Sequence, residues 1–484
     1  MARPATYDSI IVGSGQAGTP LASACAKAGR TVLLIERTHI GGCCINEGCT
    51  PTKTMVASGR AAYLARRGAD YGVHIPGGED GQIRIDMLKV RSRKREIVKS
   101  FGEGSERRVK AAGVDVWMGE AAFVDGKTLR VRMHDGSEKT VTSEQIFLNV
   151  GERPAPPLLE GLEEVAADRI LDSTSIQELD VVPAHLVVLG GGYVGVEFAQ
   201  LFRRLGAEVT IVQRGKQLLP REDQEIADAL LEILKEDGVS VILEGTTTRV
   251  TSKSPDSFTL TVENSNTEHS PELEIEGSHM LFAAGRIPNT ESLNLSAAGI
   301  KTNAKGYIIT DEYLETSNPG VWALGDVKGP PAFTHISYDD FRIVQRNLLE
   351  HKHPGSKSLK KASIKTRQLP YVVYTDPQLG HIGLHEAEAR TAYPDAKIMT
   401  ATMPMSYVAR ALETDETRGM MKAVVDGDTG MILGFTCLGI EGGEVMAVVQ
   451  TAMLGNLRFE VLQEAIWAHP SLAESLNNLW GFLE

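Results

Sequence analysis

Three of the chain's five cysteines fall in one short stretch, Gly41-Gly42-Cys43-Cys44-Ile45-Asn46-Glu47-Gly48-Cys49-Thr50-Pro51-Thr52-Lys53. A thiolate is a nucleophile, a metal ligand and one half of a disulfide, so clustered thiols point to redox or metal chemistry. Cys44 and Cys49 are five residues apart and can meet as a disulfide if they sit on a distorted helical turn. Adjacent cysteines bridge only with strain, so a stable Cys43–Cys44 disulfide is not expected. Cys43 itself reads as a small filler, an auxiliary thiol or, with Cys44, a soft-metal ligand. Cys25 lies in an alanine-rich helix and reads as core filling.

The elements that must position this stretch can be read on either side of it. Tyr7-Asp8-Ser9-Ile10-Ile11-Val12 reads as a buried strand and runs into Gly13-Ser14-Gly15-Gln16-Ala17-Gly18. A small-residue helix follows, then Thr31-Val32-Leu33-Leu34-Ile35 and Glu36. This is a dinucleotide cradle. Gly13, Gly15 and Gly18 permit a tight turn and close approach of a pyrophosphate, the helix amino terminus favours negative charge, and Glu36 can accept from a ribose hydroxyl. Met55 to Arg67 and Arg84 to Gly113 carry a helical pattern. The run Arg91, Arg93, Lys94, Arg95 reads as a solvated helix face. Alternation from Val114 to Phe147, with turns at Asp125-Gly126 and Asp135-Gly136, predicts short antiparallel strands.

The chain then repeats its opening. His185-Leu186-Val187-Val188-Leu189 leads into Gly190-Gly191-Gly192-Tyr193-Val194-Gly195, a helix through Gly206, and the strand Glu208-Val209-Thr210-Ile211-Val212. Glu36 stands 23 residues after Gly13, and the same step from Gly190 reaches Gln213, followed by Arg214, Lys216 and Arg221. Replacing the carboxylate and adding cations suits a ribose 2′-phosphate, so NADP(H) is expected over NAD(H). Leu281 to Asn289 closes this part, and Gly320-Val321-Trp322-Ala323-Leu324-Gly325-Asp326 reads as a strand returning to the first sheet. His351 to Arg367 reads as a linker or an excursion. After it, Val372 to Tyr374, Met420 to Val425 and Met431 to Cys437 read as strands, with helices over Gly443 to Leu454 and Phe459 to Ala465.

At 484 residues the chain implies roughly three domains. Its net charge of −13 argues against general nucleic-acid binding. No apolar run is long enough to cross a bilayer, and the first residues lack the charged and apolar regions of a signal peptide, so a cytoplasmic protein is expected.

In this order the pieces resemble the flavoprotein disulfide reductases, the group of glutathione reductase, lipoamide dehydrogenase and mercuric reductase. Residues 41 to 53 match the family pattern Gly-Gly-Thr-Cys-x-Asn-x-Gly-Cys-x-Pro-Ser/Thr-Lys with one departure, Cys43 for threonine. The closing pattern His-Pro-Thr-x-x-Glu is met by His469, Pro470 and Glu474, with Ser471 for threonine. The text from Gly48 to Thr54 and from Phe333 to Arg342 is similar to proteins described as mercuric-reductase-like. Asn477 to Glu484, however, lacks the vicinal cysteine pair that true mercuric reductases carry near the carboxy terminus.

The resemblance implies an α/β fold: two Rossmann-like dinucleotide-binding domains, for FAD and NAD(P), and a carboxy-terminal α+β dimerisation domain. The expected extents are 1–150 with 281–350 for FAD, 151–280 for NAD(P)H and 368–484 for dimerisation. It implies a Cys44–Cys49 redox disulfide, with Cys49 next to the flavin and Cys44 attacking substrate. His469 is the base, oriented by Glu474 and supplied by the second subunit of a homodimer with shared active sites. FAD contacts fall to Gly13, Gly15, Gly18, Glu36, Arg37, Gly42, Lys53, Gly151, Asp326 and His335. The nicotinamide coenzyme falls to Gly190, Gly192, Tyr193, Gly195, Glu197, Gln213, Arg214, Gly285 and Arg286. Lys53 and Glu197 match an ion pair beside the flavin, and Tyr193 a ring over the nicotinamide pocket. No resident metal is assigned. The expected activity is electron transfer from NAD(P)H through FAD to a small-molecule disulfide or related sulfur substrate. Metal-ion reduction of the mercuric type, dihydrolipoamide dehydrogenation, the reverse oxidation of a dithiol, and a slow redox sensor are the alternatives.

Overall fold

The computed structural model describes residues 4–74, 83–264, 272–349 and 361–484. Most of the expected linker His351 to Arg367 therefore lies outside the described residues. The chain divides into two compact units: residues 1–54, 92–155 and 285–367 form the first, and 55–91, 156–284 and 368–484 the second.

The first unit is built on a sheet of eight strands. Its parallel part runs, in spatial order, Asp115–Phe123, Val32–Glu36, Ser9–Val12, Ile146–Leu148 and Val321–Ala323. Ser9–Val12, Val32–Glu36, Ile146–Leu148 and Val321–Ala323 are short, mainly apolar runs, as strands covered on both faces of a parallel sheet are, whereas Asp115–Phe123 mixes buried and partly exposed positions. Ser9–Val12 and Val32–Glu36 are buried at every position. From Asp115–Phe123 the sheet continues antiparallel through Thr128–Met133 and Glu138–Thr142, joined at the expected Asp-Gly turns. The chain leaves Ser9–Val12 toward one side of the sheet and later returns to the other. That reversal of strand order places a crevice at the carboxyl end of Ser9–Val12, where open α/β sheets hold ligands.

The second unit repeats this plan. Its parallel sheet has the order Ser240–Leu243, Glu208–Gln213, His185–Leu189, His279–Phe282 and Ile170–Leu171, so the order reverses beside His185–Leu189. The helix Tyr193–Leu205 ends on Gly206 at φ 110°, a left-handed cap that glycine adopts without a Cβ clash. A separate antiparallel sheet contains Tyr371–Val373, Gln378–Gly383, Met431–Gly439, Met420–Asp426 and Ile398–Pro404. Two of these strands, Gln378–Gly383 and Ile398–Pro404, and the helix Glu386–Ala392 are not apparent from sequence patterning.

The units do not follow the expected extents. Residues 55–91 group with the second unit because Met55 and Met87 enter the same apolar core as Leu201, Phe202, Val373 and Leu438. Residues 281–284 stay with the second unit because Leu281 and Phe282 complete its parallel sheet. The basic run on the helix Met87–Ala111 is a solvated face only in part, with Arg93 and Arg95 exposed. Lys94 is 3% exposed, Arg91 bonds the Glu178 carbonyl, and Arg93 bonds that of Thr54.

Within the second unit lies a network of buried charge. Asp376 accepts from Arg60 and Arg204, and Arg204 also meets Asp237 at 3.2 Å and stacks on Tyr63 at 3.9 Å.

Candidate functional site

The cysteine stretch folds as two helices with a break. Gly41, at φ 106°, opens the short helix Gly42–Asn46. Both Glu47 N–H and Gly48 N–H then donate to the Cys43 carbonyl, at 2.8 and 2.7 Å, which ends that turn. The helix Cys49–Arg66 starts immediately afterwards. Pro51 is accommodated because the first turn of a helix needs no amide donor from it. The Asn46 side chain donates to the carbonyls of Ile40 and Gly42, which fixes the break from inside. This is the distorted turn that brings thiols five residues apart together. None of the five cysteines is joined in a disulfide, and Cys44 is hydrogen-bonded to Cys49. That hydrogen bond, with burial second, pushes the Cys44 thiol far up from its usual range. The Cys49 sulfur lies 3.3 Å from the Thr334 hydroxyl.

The cysteine turn is joined to the glycine cradle by direct contact. A Cβ on Gly42 would stand 2.6 Å from the Gly15 Cα. Ser14 Oγ donates to Glu36 at 2.6 Å and accepts from Gly41 N–H at 3.0 Å, so one hydroxyl links the strand-end acid to the start of the cysteine motif. A Cβ on Gly13 would lie 2.2 Å from the Asn149 carbonyl, and one on Gly18 2.1 Å from the Gly13 carbonyl. Asn149 then staples the cradle, accepting from Gly18 N–H and donating to the Leu324 carbonyl.

The second cradle has the same construction. A Cβ on Gly190 would meet the Ala283 carbonyl at 2.9 Å, and one on Gly195 the Gly190 carbonyl at 1.9 Å. Glu36 accepts from Ser14 N–H at 2.9 Å, and Gln213 accepts from Gly191 N–H at 3.0 Å. The amide thus holds the loop as the acid does, without the charge. Gly192 has open space around its Cα. Arg214, Lys216 and Arg221 are exposed. Tyr193 lies 5.5 Å from the Tyr371 ring, and buried Glu197 accepts from Tyr374 N–H at 2.8 Å.

Other expected residues have distinct settings. Arg37 is exposed and pairs with Glu120 at 3.6 Å. Lys53 is half-buried on the helix that Cys49 begins. Gly151 turns the chain at φ 66° after Ile146–Leu148. His335 is exposed and stacks on Phe333 at 5.4 Å. His469 Nδ1 meets the Glu474 carboxylate at 2.9 and 3.0 Å. The sequence spacing brings this pair together.

Gly285 and Arg286, expected on the nicotinamide side, are in the first unit. The strand Arg286–Pro288 pairs with Glu152–Pro154, and the buried Glu152 carboxylate takes the guanidinium at 2.6 Å. The same guanidinium lies 3.8 Å from the Cys43 sulfur. Water reaches Cys43, but surrounding protein pushes its thiol up to about 11, and Arg286 opposes the shift without reversing it. Glu152 and Tyr307, whose hydroxyl donates to Glu152 at 3.1 Å, are members of this cluster that sequence reasoning missed. Glu152 has a sequence sign, since Gly151-Glu152-Arg153-Pro154 and Gly285-Arg286-Ile287-Pro288 share one Gly-x-x-Pro spacing, and Tyr307 has none.

The residues present fit a bound dinucleotide. The glycine cradle is closed to any side chain, and Asp326 Oδ1 is enclosed with no hydrogen-bond partner. Burial pushes the Asp326 carboxyl up to about 6, with Glu152 next in effect. A hydroxyl donor from a ligand would relieve it. Asp326→Asn is therefore expected to stabilise the ligand-free chain and weaken flavin retention. A raised folded pKa means that the native state holds the proton longer than the unfolded chain does. The cost is absent below about pH 4, grows toward pH 6, and stays on the order of 2–3 kcal/mol above it. Urea denaturation of the apoprotein from pH 4 to 8 measures the first effect, and flavin release by ultrafiltration the second.

Comparison with known proteins agrees with this geometry. Residues 7–340 match the pyridine nucleotide-disulphide oxidoreductase family, and residues 369–479 its dimerisation domain. The chain is 34% identical over 481 residues to a probable pyridine nucleotide-disulfide oxidoreductase, RclA, of Escherichia coli strain K12, covering 99% of both chains. It is 34% identical over 475 residues to a mercuric reductase of Staphylococcus aureus, covering 98% of this chain and 82% of that one. The solved structure of a Cu(II) complex of the HOCl-induced flavoprotein disulfide reductase RclA from E. coli superposes with a TM-score of 0.85 over 98% of this chain and 99% of that one, at 34% identity. The dimerisation domain supports a homodimer, and no described helix is long and apolar enough to cross a membrane. The chain belongs to the pyridine nucleotide-disulfide oxidoreductase family, as an FAD-dependent disulfide oxidoreductase.

Proposed function

We propose that the protein reduces a small-molecule disulfide or related sulfur electrophile at Cys44 and Cys49, with electrons from NADPH. The supporting observation is the pair of hydrogen-bonded thiols on a helix break that touches the glycine cradle. Bound FAD would supply the chemistry that passes an electron pair from the nicotinamide to a disulfide. Gly13, Gly15, Gly18, Glu36, Arg37, Gly42, Lys53, Gly151, Asp326 and His335 would hold it. Gly190, Gly192, Tyr193, Gly195, Glu197, Gln213 and Arg214 would hold the nicotinamide coenzyme.

The thiol steps belong to the chain. Because Cys44 keeps its proton through the Cys49 contact, it needs a base. Glu474 on His469 Nδ1 favours the tautomer with its lone pair on Nε2. His469 of a second copy would take the Cys44 proton as the sulfur attacks one substrate sulfur. The substrate S–S bond breaks, and its first thiol leaves with that proton. Cys49 then attacks the Cys44 sulfur, the mixed disulfide breaks, the Cys49 proton passes to the departing second thiol, and Cys44–Cys49 closes. The location this chemistry suits is the reducing cytoplasm.

Anaerobic titration with NADPH and NADH, followed by glutathione disulfide, lipoamide, small oxidised-sulfur compounds, Hg(II) and Cu(II), tests the assignment. Reduction of a sulfur compound supports it, and rapid Hg(II) turnover without disulfide turnover would replace it with a metal-ion reductase. The coenzyme preference has its own test. Gln213→Glu keeps an acceptor for Gly191 N–H but places a carboxylate where a 2′-phosphate would sit. It is expected to shift the kcat/KM ratio of NADPH to NADH toward NADH by at least about tenfold, corresponding to 1.4 kcal/mol. An unchanged ratio removes Gln213 as the selector.

A further inference from the structure

We propose that Glu222, His381 and His385 form a binding site for a divalent transition-metal ion of the zinc class, separate from the redox cysteines. The residues come from two distant parts of the second unit, Glu222 from one and the two histidines, four residues apart, from the other. Glu222 stands in the turn before the helix Gln224–Glu236, His381 in the strand Gln378–Gly383, and His385 at the N-cap of the helix Glu386–Ala392. One donor atom from each lies within 4.8 Å of the other two, and all three residues are buried. Two imidazoles and one carboxylate are a ligand set that zinc-type ions accept with a fourth position left for water or another oxygen.

A second observation points to a ligand. Glu222 is 6% exposed, and its Oε2 is enclosed with no hydrogen-bond partner, while Oε1 accepts from the Tyr371 hydroxyl at 2.6 Å. The His385 side chain accepts from the N3 N–H of the helix that it caps. An enclosed and unpartnered carboxylate oxygen is costly, and a cation would satisfy it beside the two imidazoles. The nearby cation Lys422 does not serve it, because Asp223, Glu225 and Glu386 surround its ammonium group.

The second shell has the form that metal sites use. His381 Nε2 lies 3.2 Å from the Gly383 carbonyl, an acceptor only, so it carries the proton and leaves the Nδ1 lone pair toward the Thr436 hydroxyl at 2.8 Å. That hydroxyl can rotate and yield the lone pair. The Tyr371 hydroxyl, 3.2 Å from His385 Nε2, is a fourth donor at hand. The two imidazole rings lie parallel with centroids 4.0 Å apart, so binding turns one ring to aim both nitrogens at a single ion and draws the donors in by about an ångström.

The test uses the FAD-loaded full-length protein with Cys43, Cys44 and Cys49 changed to serine, which removes competing thiols, after stripping with a chelator. Calorimetric titration with Zn(II) is expected to give one ion per chain. Co(II) in its place is expected to give the visible spectrum of a nitrogen and oxygen site without a sulfur charge-transfer band. Glu222→Gln, which keeps the shape and the Tyr371 hydrogen bond, and His381→Gln are each expected to weaken binding at least about tenfold. No stoichiometric ion in the thiol-free parent overturns the proposal, whether or not either variant folds. An ion bound equally well by both variants overturns it too. Both readouts are independent of turnover, so the site stands or falls apart from the disulfide assignment.

Discussion

Cys44→Ser is expected to lower disulfide turnover by about a thousandfold or more, because a serine hydroxyl cannot form the mixed disulfide on which the exchange depends. Reduction of the bound flavin by NADPH should survive, since the cradle residues are unchanged. Stopped-flow absorbance separates the two half-reactions, and full turnover by the serine variant would end the assignment of Cys44. Cys43→Ser is the matched control. Its thiol is held in the protonated form and its contact is with Arg286, so most of the turnover should remain.

The largest expected effect on stability is at Asp376. Removing it leaves Arg60 and Arg204 with one anionic partner fewer, and Arg204 is 5% exposed. Breaking a buried pair from one side costs about 3–5 kcal/mol, because the remaining charge stays desolvated. Asp376→Ala is expected to lower the urea midpoint accordingly. Burial pushes the Asp376 carboxyl up, but Arg204 and Arg60 outweigh burial and hold it below its ordinary value. Its contribution is therefore complete above the unfolded carboxyl range and is lost as pH falls through the lower folded value. The gap between wild type and variant should narrow in acid, and a gap that widened would contradict the ion-pair account.

The sequence made the cradles readable because their constraints are local. Glycines at 13, 15 and 18, and again at 190, 192 and 195, report backbone that must approach something closely. The strand-end residues Glu36 and Gln213 stand at one fixed step from each turn. The cysteine turn and the His469–Glu474 pair were readable for the same reason, since each is set within a few residues. What could not be read depends on contacts across the fold. Lys94 is buried although it lies in a basic run that looks solvated. Arg286 turns to Glu152 and Cys43 because its strand pairs with Glu152–Pro154, a partner chosen by sheet closure and not by nearby sequence. His381 and His385 carry no motif, and Glu222 lies well over a hundred residues before them. Only the folded second unit makes them neighbours.

The contact of Gly42 on Gly15 has a mechanical consequence. The dithiol is carried by the same solid piece that would grip the dinucleotide, with no spacer of adjustable length. Exchange chemistry is sensitive to displacements of about an ångström, and here the alignment is settled once, when the chain folds. Methyl groups at either glycine would act as a shim, lifting the sulfur atoms away from the cradle while leaving every reactive group intact.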